Sequence, residues 1–326
     1  MAAFLVRRVL ALIPVLIGVG TIVFLILQLT PGDPAVMMLG DSATRESVEL
    51  LREEMGLNEP LLVQYGIFVG NLLQLDLGDS IAQRQPVMTL IGQRLTATAE
   101  LTFLAMLFAI VLGVTLGIVA AVNRNTIIDY FVTTISLLGI SAPVFYIGML
   151  FILIFALHFG VLPASGRGPA LFASIGTLFT GNAQPLLESL RHLALPAVTL
   201  GLSFSALLAK MTRATMLEVL NQDYIRTARA KGLGQRAVIY KHGLRNASIP
   251  LLTILGLQFS GLLGGAVLTE TVFAWPGLGR LAVDAIWARD FPVVQGTVLT
   301  VAVIFVVLNV VVDLLYGLLD PRITYA

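Results

Sequence analysis

Six stretches free of charge punctuate the chain: Val9–Leu29, Leu101–Val122, Tyr130–Leu157, Leu193–Ala209, Ile249–Thr269 and Phe291–Val312. A helix needs about 20 mostly apolar residues to cross the hydrocarbon core of a bilayer, so each stretch qualifies or nearly qualifies as a span. The fourth is short. It can continue as a helix past Lys210 toward Leu220, with its basic ends reaching the interface. The first follows Arg7 and Arg8 as the core of a signal peptide does, but its 21 apolar residues are too many for a cleaved core. No small-x-small cleavage site follows it, so it reads as an uncleaved first span.

The segments between the spans are of two kinds. The stretch Arg45–Leu57 (RESVELLREEMGL) sets Val48, Leu51 and Met55 at helical spacing, with Glu49, Glu53 and Glu54 on the other face. That pattern predicts an amphipathic helix on the outer mouth. The second outer loop, Gly160–His192, is rich in Gly, Pro and Ser and reads as irregular. The third, Glu270–Asp290, holds the turn Trp275-Pro276-Gly277. The resulting organisation is a tail and first span over 1–29, an outer loop over 30–100, and a five-helix core over 101–326.

Composition agrees. Of 326 residues, 57% are hydrophobic and 12% charged, and the mean hydropathy is +0.92. A soluble domain of this length would need more charge to cover its surface. The net charge of +1 offers no basic field for nucleic acid. The absence of cysteine excludes disulfides, thiolate metal sites and thiol nucleophiles, and His158, His192 and His242 are scattered. Twelve of the twenty basic residues fall on one side if the N-terminus is inside: Arg7, Arg8, Arg124, Lys210, Arg213, Arg226, Arg229, Lys231, Arg236, Lys241, Arg245 and Arg322. The positive-inside rule then places both termini in the cytoplasm.

Six of those twelve crowd into Tyr224–Pro250 with no acid among them. Asn221 or Asp223 can cap a helix running to Ala230. Gly232 and Gly234 permit a sharp turn with positive φ. A second helix is expected from about Gln235 to Leu244, and Ser248 and Pro250 restart the chain as the fifth span. Such a segment can be gripped by a soluble partner and moved as a lever. It can equally be a basic loop that only sets topology.

The segment is also part of a resemblance covering almost the whole chain. FLVRRVLALIP (Phe4–Pro14), LTPGDPA (Leu29–Ala35), MGLNEPLLVQY (Met55–Tyr65), LDLGDS (Leu75–Ser80) and MTRATMLEVLNQDYIRTARAKGL (Met211–Leu233) occur in this order. LRNASIP (Leu244–Pro250), LTETVFAWPGLGRLAVDAI (Leu268–Ile286), RDFPVVQG (Arg289–Gly296) and VVDLLYGLLDPRI (Val311–Ile323) follow them. Together they resemble the permease subunits of binding-protein-dependent ABC importers, and more narrowly the first of the two permeases in the dipeptide/oligopeptide/nickel family. The resemblance implies an all-α polytopic membrane protein of the type I importer permease class, with six transmembrane helices. It implies a second homologous permease, two ABC ATPase subunits carrying ATP and Mg²⁺, an extracytoplasmic solute-binding protein, and residence in a prokaryotic inner membrane.

In that family the cytoplasmic segment, here 221–248, forms the coupling helix seated on the ATPase. The resemblance carries this role to Arg226, Thr227, Ala228, Arg229, Lys231, Gly232, Leu233 and Gly234. The general importer pattern begins Glu-Ala-Ala where this chain has Arg226-Thr227-Ala228, which puts the sign of the partner contact at Arg226 in doubt. Around Trp275, the residues Phe273, Trp275, Pro276, Gly277 and Gly279 read either as a turn facing the binding protein, its rings supplying rigid contact area, or as a structural turn closing the outer face.

Small residues at four-residue spacing (Gly113, Gly117 and Ala121; Gly261 and Gly265) read as helix packing, with a permease–permease seam as the alternative for the second pair. Glu270 and Asp313 sit near span ends, where pairing with Arg or helix capping is expected of them, rather than a functional charge. No P-loop, H-E-x-x-H or G-x-S-x-G motif is present, so if the transport is ATP-driven the ATPase resides on another chain, and the resemblance implies that this one binds no cofactor and does no chemistry. Two rivals stand beside the importer reading. A stand-alone secondary transporter or channel would need coupling groups near the midplane, and Pro143 offers a break there but no charge. An intramembrane enzyme would need a base beside Ser141, Ser203 or Ser205, and no span supplies one.

Overall fold

The computed structural model describes residues 2–29, 34–39, 44–54 and 56–319. Most of the Leu29–Ala35 motif, Met55 and Arg322 lie outside these residues, as do the side chains of Arg7, Arg8, Leu51 and Asp313. The described chain is all-helical apart from an isolated bridge between Asp79 and Pro86. In chain order the helices are α1 (Ala2–Leu29), α2 (Pro34–Leu39), α3 (Arg45–Glu54), α4 (Leu61–Leu73), α5 (Val87–Val122), α6 (Ile127–Ser141) and α7 (Val144–Phe151). They continue with α8 (Leu171–Thr177), α9 (Gln184–Leu220), α10 (Asp223–Ala230), α11 (Arg245–Val272), α12 (Leu278–Ala288) and α13 (Phe291–Leu319). Wider π-helical turns extend α7 over Ile152–His158 and precede α11 over Ala237–Leu244.

Among the described residues, three helices are long and apolar enough to cross a membrane: Val87–Val122, Gln184–Leu220 and Phe291–Val312. Two more candidates are bent pairs, Ile127–Ser141 with Val144–His158 at 103° and Ala237–Phe259 with Gly264–Val272 at 56°. The described apolar stretch of α1, Ile13–Ile26, is shorter than a span. The bend at Ala142-Pro143 falls at the break that Pro143 offers within Tyr130–Leu157, because proline removes a backbone donor and disfavours helix in the residue before it. Two expectations are corrected. The loop Gly160–His192 is not irregular throughout: it contains α8, and α9 begins at Gln184. The fifth span does not restart at Ser248. The Ser248 hydroxyl donates to the Arg245 carbonyl at 2.7 Å and Pro250 lies inside α11, so helix runs on unbroken from the π-helical turn.

The chain divides into two compact units. The smaller comprises residues 1–95 and 278–307. In it α1 meets α4 through Phe24, Tyr65 and Phe68, whose ring centroids lie 5.3 to 6.2 Å apart. Thr21 and Tyr65 share a hydroxyl hydrogen bond of 2.7 Å. A second core joins Val87, Leu90 and Ile91 to Leu278, Leu281, Ala285 and Val293. Asp290 precedes α13 and is buried. Its carboxylate accepts the Ser80 hydroxyl at 2.5 Å and the backbone N–H groups of Ile81 and Ala82 at 3.2 and 3.1 Å. One acid therefore fastens the LDLGDS turn to the start of the last span.

The larger unit, residues 96–277 and 308–325, is organised around α9, which packs against α6, α7, α8 and α11. Its cores unite Leu101, Ala105, Leu193, Leu200, Leu262 and Trp275 in one cluster and Ile118, Leu208, Met216, Ala247 and Leu251 in another. Gly113 and Gly117 on α5 lie directly against Ser205, Leu208, Ala209 and Thr212 of α9, and Gly201 on α9 lies against the Ala105 carbonyl. Gly261 and Gly265 on α11 face Phe204 and Leu200 of α9. Both small-residue sets are thus used in packing within the chain. Replacing Asp290 by Ala removes the acceptor shared by Ser80, Ile81 and Ala82, and is expected to cost roughly 2–3 kcal/mol. A thermal melt in detergent should show Asp290→Ala well below the wild type and Ser80→Ala between them.

Candidate coupling surface

The helix α10 is held by a small apolar seat. Ile225 and Ala228 are three residues apart and so share one face; both are buried against Val238, with Leu220 packed beside them. The opposite face is open: Arg226, Thr227, Arg229, Lys231, Leu233 and Gly234 are all exposed, as are Arg236, Tyr240 and Lys241. Arg226 makes only an exposed pair with Asp223, at 3.3 Å, of the kind that contributes little to stability. Burial pushes the Tyr224 phenol above its usual range.

The end of α10 is built by Gly232. Its φ is +77°, its N–H donates to the Arg229 carbonyl at 2.9 Å, and the Leu233 N–H reaches back to Ala228 at 3.3 Å. This is a Schellman closure, with glycine at the left-handed position. Gly234 is not left-handed, so the expected turn rests on Gly232 alone. The expected caps are also corrected. Asn221 ends α9, Gln222 precedes α10, and no side chain caps that end. The chain then passes into the π-helical turn Ala237–Leu244 and on into α11.

Two ion pairs that the sequence did not signal hold helices of the larger unit together. Arg213 on α9 grips the buried Asp129 of α6 with both ends of its guanidinium, the Nη2–Oδ2 distance being 2.7 Å. The same carboxylate accepts the Asn125 N–H at 3.0 Å, locking the α5–α6 turn. Arg167, in the loop before α8, donates to the buried Glu100 of α5 at 2.6 Å. Acid and base in each pair lie 67 or more residues apart, so no local pattern betrays them.

Phe273, Trp275, Gly277 and Gly279 are buried, and Pro276 is half-buried. The Trp275 indole N–H donates to the Ala97 carbonyl at 2.9 Å, and the Phe273 carbonyl accepts the Gly166 N–H at 2.9 Å. The two rings therefore serve as internal struts. Of the two readings of this segment, structural turn and exposed contact area, the burial of both rings fits the first. Glu270 is fully buried, where its carboxylate accepts the Thr98 hydroxyl at 2.6 Å, and it lies directly against Gly277. A Cβ on Gly277 would occupy the place of that carboxylate. Among the described residues no group of His, Asp or Glu is placed to hold a metal ion.

Residues 113–325 match the family described as binding-protein-dependent transport system inner membrane component, and residues 1–102 match its N-terminal companion. The chain is 48% identical to the dipeptide transport system permease protein DppB of Alkalihalophilus pseudofirmus, covering all of both chains. It is 44% identical to the di/tripeptide transport system permease protein DppB of Pseudomonas aeruginosa, over all of this chain and 99% of that one. It is 42% identical, over both full lengths, to the glutathione transport system permease protein GsiC of Escherichia coli. Among solved structures it is similar in fold to a chain of the inward-facing MetNI methionine ABC transporter, with TM-score 0.55, 21% identity, and coverage of 72% of this chain and 97% of that one.

A side chain at position 232 would meet no atom within 4 Å, so substitution there is penalised through the backbone alone. Gly232→Asn should lose little, because Asn tolerates the left-handed region, whereas Gly232→Val should destabilise α10 by about 1–2 kcal/mol. Hydrogen exchange of the α10 amides reads this directly: faster exchange in the valine variant only.

Proposed function

The chain belongs to the family of binding-protein-dependent transport-system membrane components, and on that basis we propose that it is one of two permease subunits of an ATP-driven importer for di- and oligopeptides or similar small solutes. It crosses a prokaryotic inner membrane six times, with both termini in the cytoplasm. A second homologous permease completes the pore. Two ABC ATPase subunits, which hold ATP and Mg²⁺, bind below, and a solute-binding protein delivers cargo above. This chain conducts and couples without catalysing a reaction.

The observation that carries the proposal is the build of α10. A short helix with a buried Ile225–Ala228 face and an exposed basic face is suited to being pushed as a rigid body. It adjoins the end of α9, and Ala121 and Val122 of α5 line the same cleft as Arg229 and Val238. Force applied to its outer face therefore reaches two span ends. In the implied cycle, ATP binding closes the ATPase pair, α10 moves with it, and the spans open outward. Hydrolysis resets them.

The buried acids support this reading over an ion-coupled carrier. Glu100 is engaged by Arg167, Asp129 by Arg213, Glu270 by Thr98 and Asp290 by Ser80. A proton-coupled carrier would need an intramembrane acid free to exchange its proton.

The test is a mild-detergent purification of this chain from its native membrane, followed by reconstitution. The reading expects a second permease and P-loop ATPases to accompany it. It also expects Gly232→Arg to leave the complex assembled while uptake per ATP hydrolysed falls at least tenfold. Recovery of the chain alone in a transporting state would overturn it, as would normal uptake by Gly232→Arg.

A further inference from the structure

A cavity of about 520 Å³ lies where α9 begins, walled by Gly160–Pro163 on one side and by Gln184, Leu187, Glu188, Arg191 and His192 on the other. It is far from α10 in sequence and belongs to the segment assigned to the outer face. We propose that it is a receiving site for short zwitterionic peptides, in which Glu188 takes the ammonium and Arg191 the carboxylate. The proposal rests on the importer reading and adds to it a place on this chain where released cargo is held.

The walls are fixed before any ligand arrives. Arg191 donates from one Nη to the Val161 carbonyl at 3.1 Å. That bond ties the loop to the helix and leaves the other guanidinium N–H groups available. The His192 Nδ1–H donates to the Glu188 carbonyl one turn earlier in α9, at 3.0 Å. Gly168 packs so closely on both that a Cβ there would lie 2.9 Å from the His192 Nδ1. The chemistry between the walls is mixed: Val161, Leu162, Pro163 and Leu187 are apolar, while Gln184, Glu188 and Arg191 are polar.

The charges are what make it a site for a zwitterion. Among the described residues the Glu188 carboxylate has no ion-pair or hydrogen-bond partner, and Arg191 has no acid. They lie three residues apart on one helix, which places their Cβ atoms about 5–6 Å apart on neighbouring positions. The termini of an extended dipeptide are roughly 7 Å apart, within reach of the two side chains. A peptide of two or three residues fits the volume, its side chains against the apolar wall. A purely anionic or cationic ligand would leave one of the two charges unanswered.

The experiment uses the chain reconstituted in lipid nanodiscs with whatever subunits co-purify and with no binding protein present. Saturation-transfer NMR is recorded with Ala-Ala, N-acetyl-Ala-Ala and Ala-Ala amide. The wild type should bind Ala-Ala about tenfold better than either blocked peptide, the loss expected for one charge-assisted contact. Glu188→Gln should stop distinguishing Ala-Ala from its N-acetyl form while still rejecting the amide. Arg191→Gln should do the reverse, and Arg191→Lys should retain partial discrimination. A melt of each variant separates this selectivity from a loss of fold, which cannot swap one preference for the other. Equal transfer to all three peptides, no transfer to any of them, or unchanged selectivity in both Gln variants overturns the proposal. Dipeptide uptake by the complete wild-type system, assayed in parallel, shows whether the importer reading itself stands.

Discussion

Helices that pack in lipid gain nothing from hiding apolar side chains from one another, since the surrounding tails are as apolar as leucine; close contact and internal hydrogen bonds must do the work. In the larger unit that contact is the approach of α5 to α9. Gly113 and Gly117 leave room for Ser205, Leu208, Ala209 and Thr212, and Gly201 returns the favour for the Ala105 carbonyl. The same α9 then serves every neighbour. Thr199 flanks Gly148 of α7, Phe204 covers Gly261 of α11, Arg213 grips Asp129 of α6, and Leu220 completes the seat of α10. A methyl group on Gly117 would separate α5 from α9 and disturb several of these contacts together.

The two buried ion pairs are a different kind of constraint. Desolvating Asp129 and Glu100 opposes their burial, and such pairs often add little net stability. They do restrict which arrangements are possible. Asp129 accepts from Arg213 and from the Asn125 backbone at once, so α6 is held to α9 in one register. Arg167 anchors the loop before α8 to α5 at Glu100, and Gly166 beside it bonds to Phe273. Trp275 on the other side of the same turn bonds to Ala97 of α5. The Phe-Ala-Trp-Pro-Gly segment is thereby a clasp whose aromatic rings are spent inside the protein.

What was legible in the sequence followed from local rules. Apolar length located the long helices, the period of Arg45–Glu54 marked α3, and glycine marked the left-handed turn at position 232. What was not legible depended on partners distant in the chain. Nothing near Trp275 says that its indole will meet Ala97, and nothing near Asp290 says that it will hold Ser80. The α4 stretch Leu61–Leu73 passed unnoticed because it is too short for a span and its apolar positions suit loop cover as well as helix. At the coupling surface every named residue of 226–234 except Ala228 is exposed. Ala228 turned inward to the seat, because its partner Val238 comes from the next helix.

The π-helical turn Ala237–Leu244 bears on how that surface works. It sits between the seat of α10 and the long α11, and Val238, the floor of the seat, belongs to it. A π-helical turn carries an extra residue in each ring of backbone bonds, and such turns concentrate at functional sites. Here the same turn supports α10 and opens α11 without an intervening loop, so α10 cannot be displaced without loading the base of α11. A flexible connection would absorb the motion, and a glycine-rich linker after Gly234 would have been the simplest way to build one. Instead the chain returns to helix at Gln235. Under the proposed coupling role, a continuous helical path from seat to span is what mechanical transmission requires.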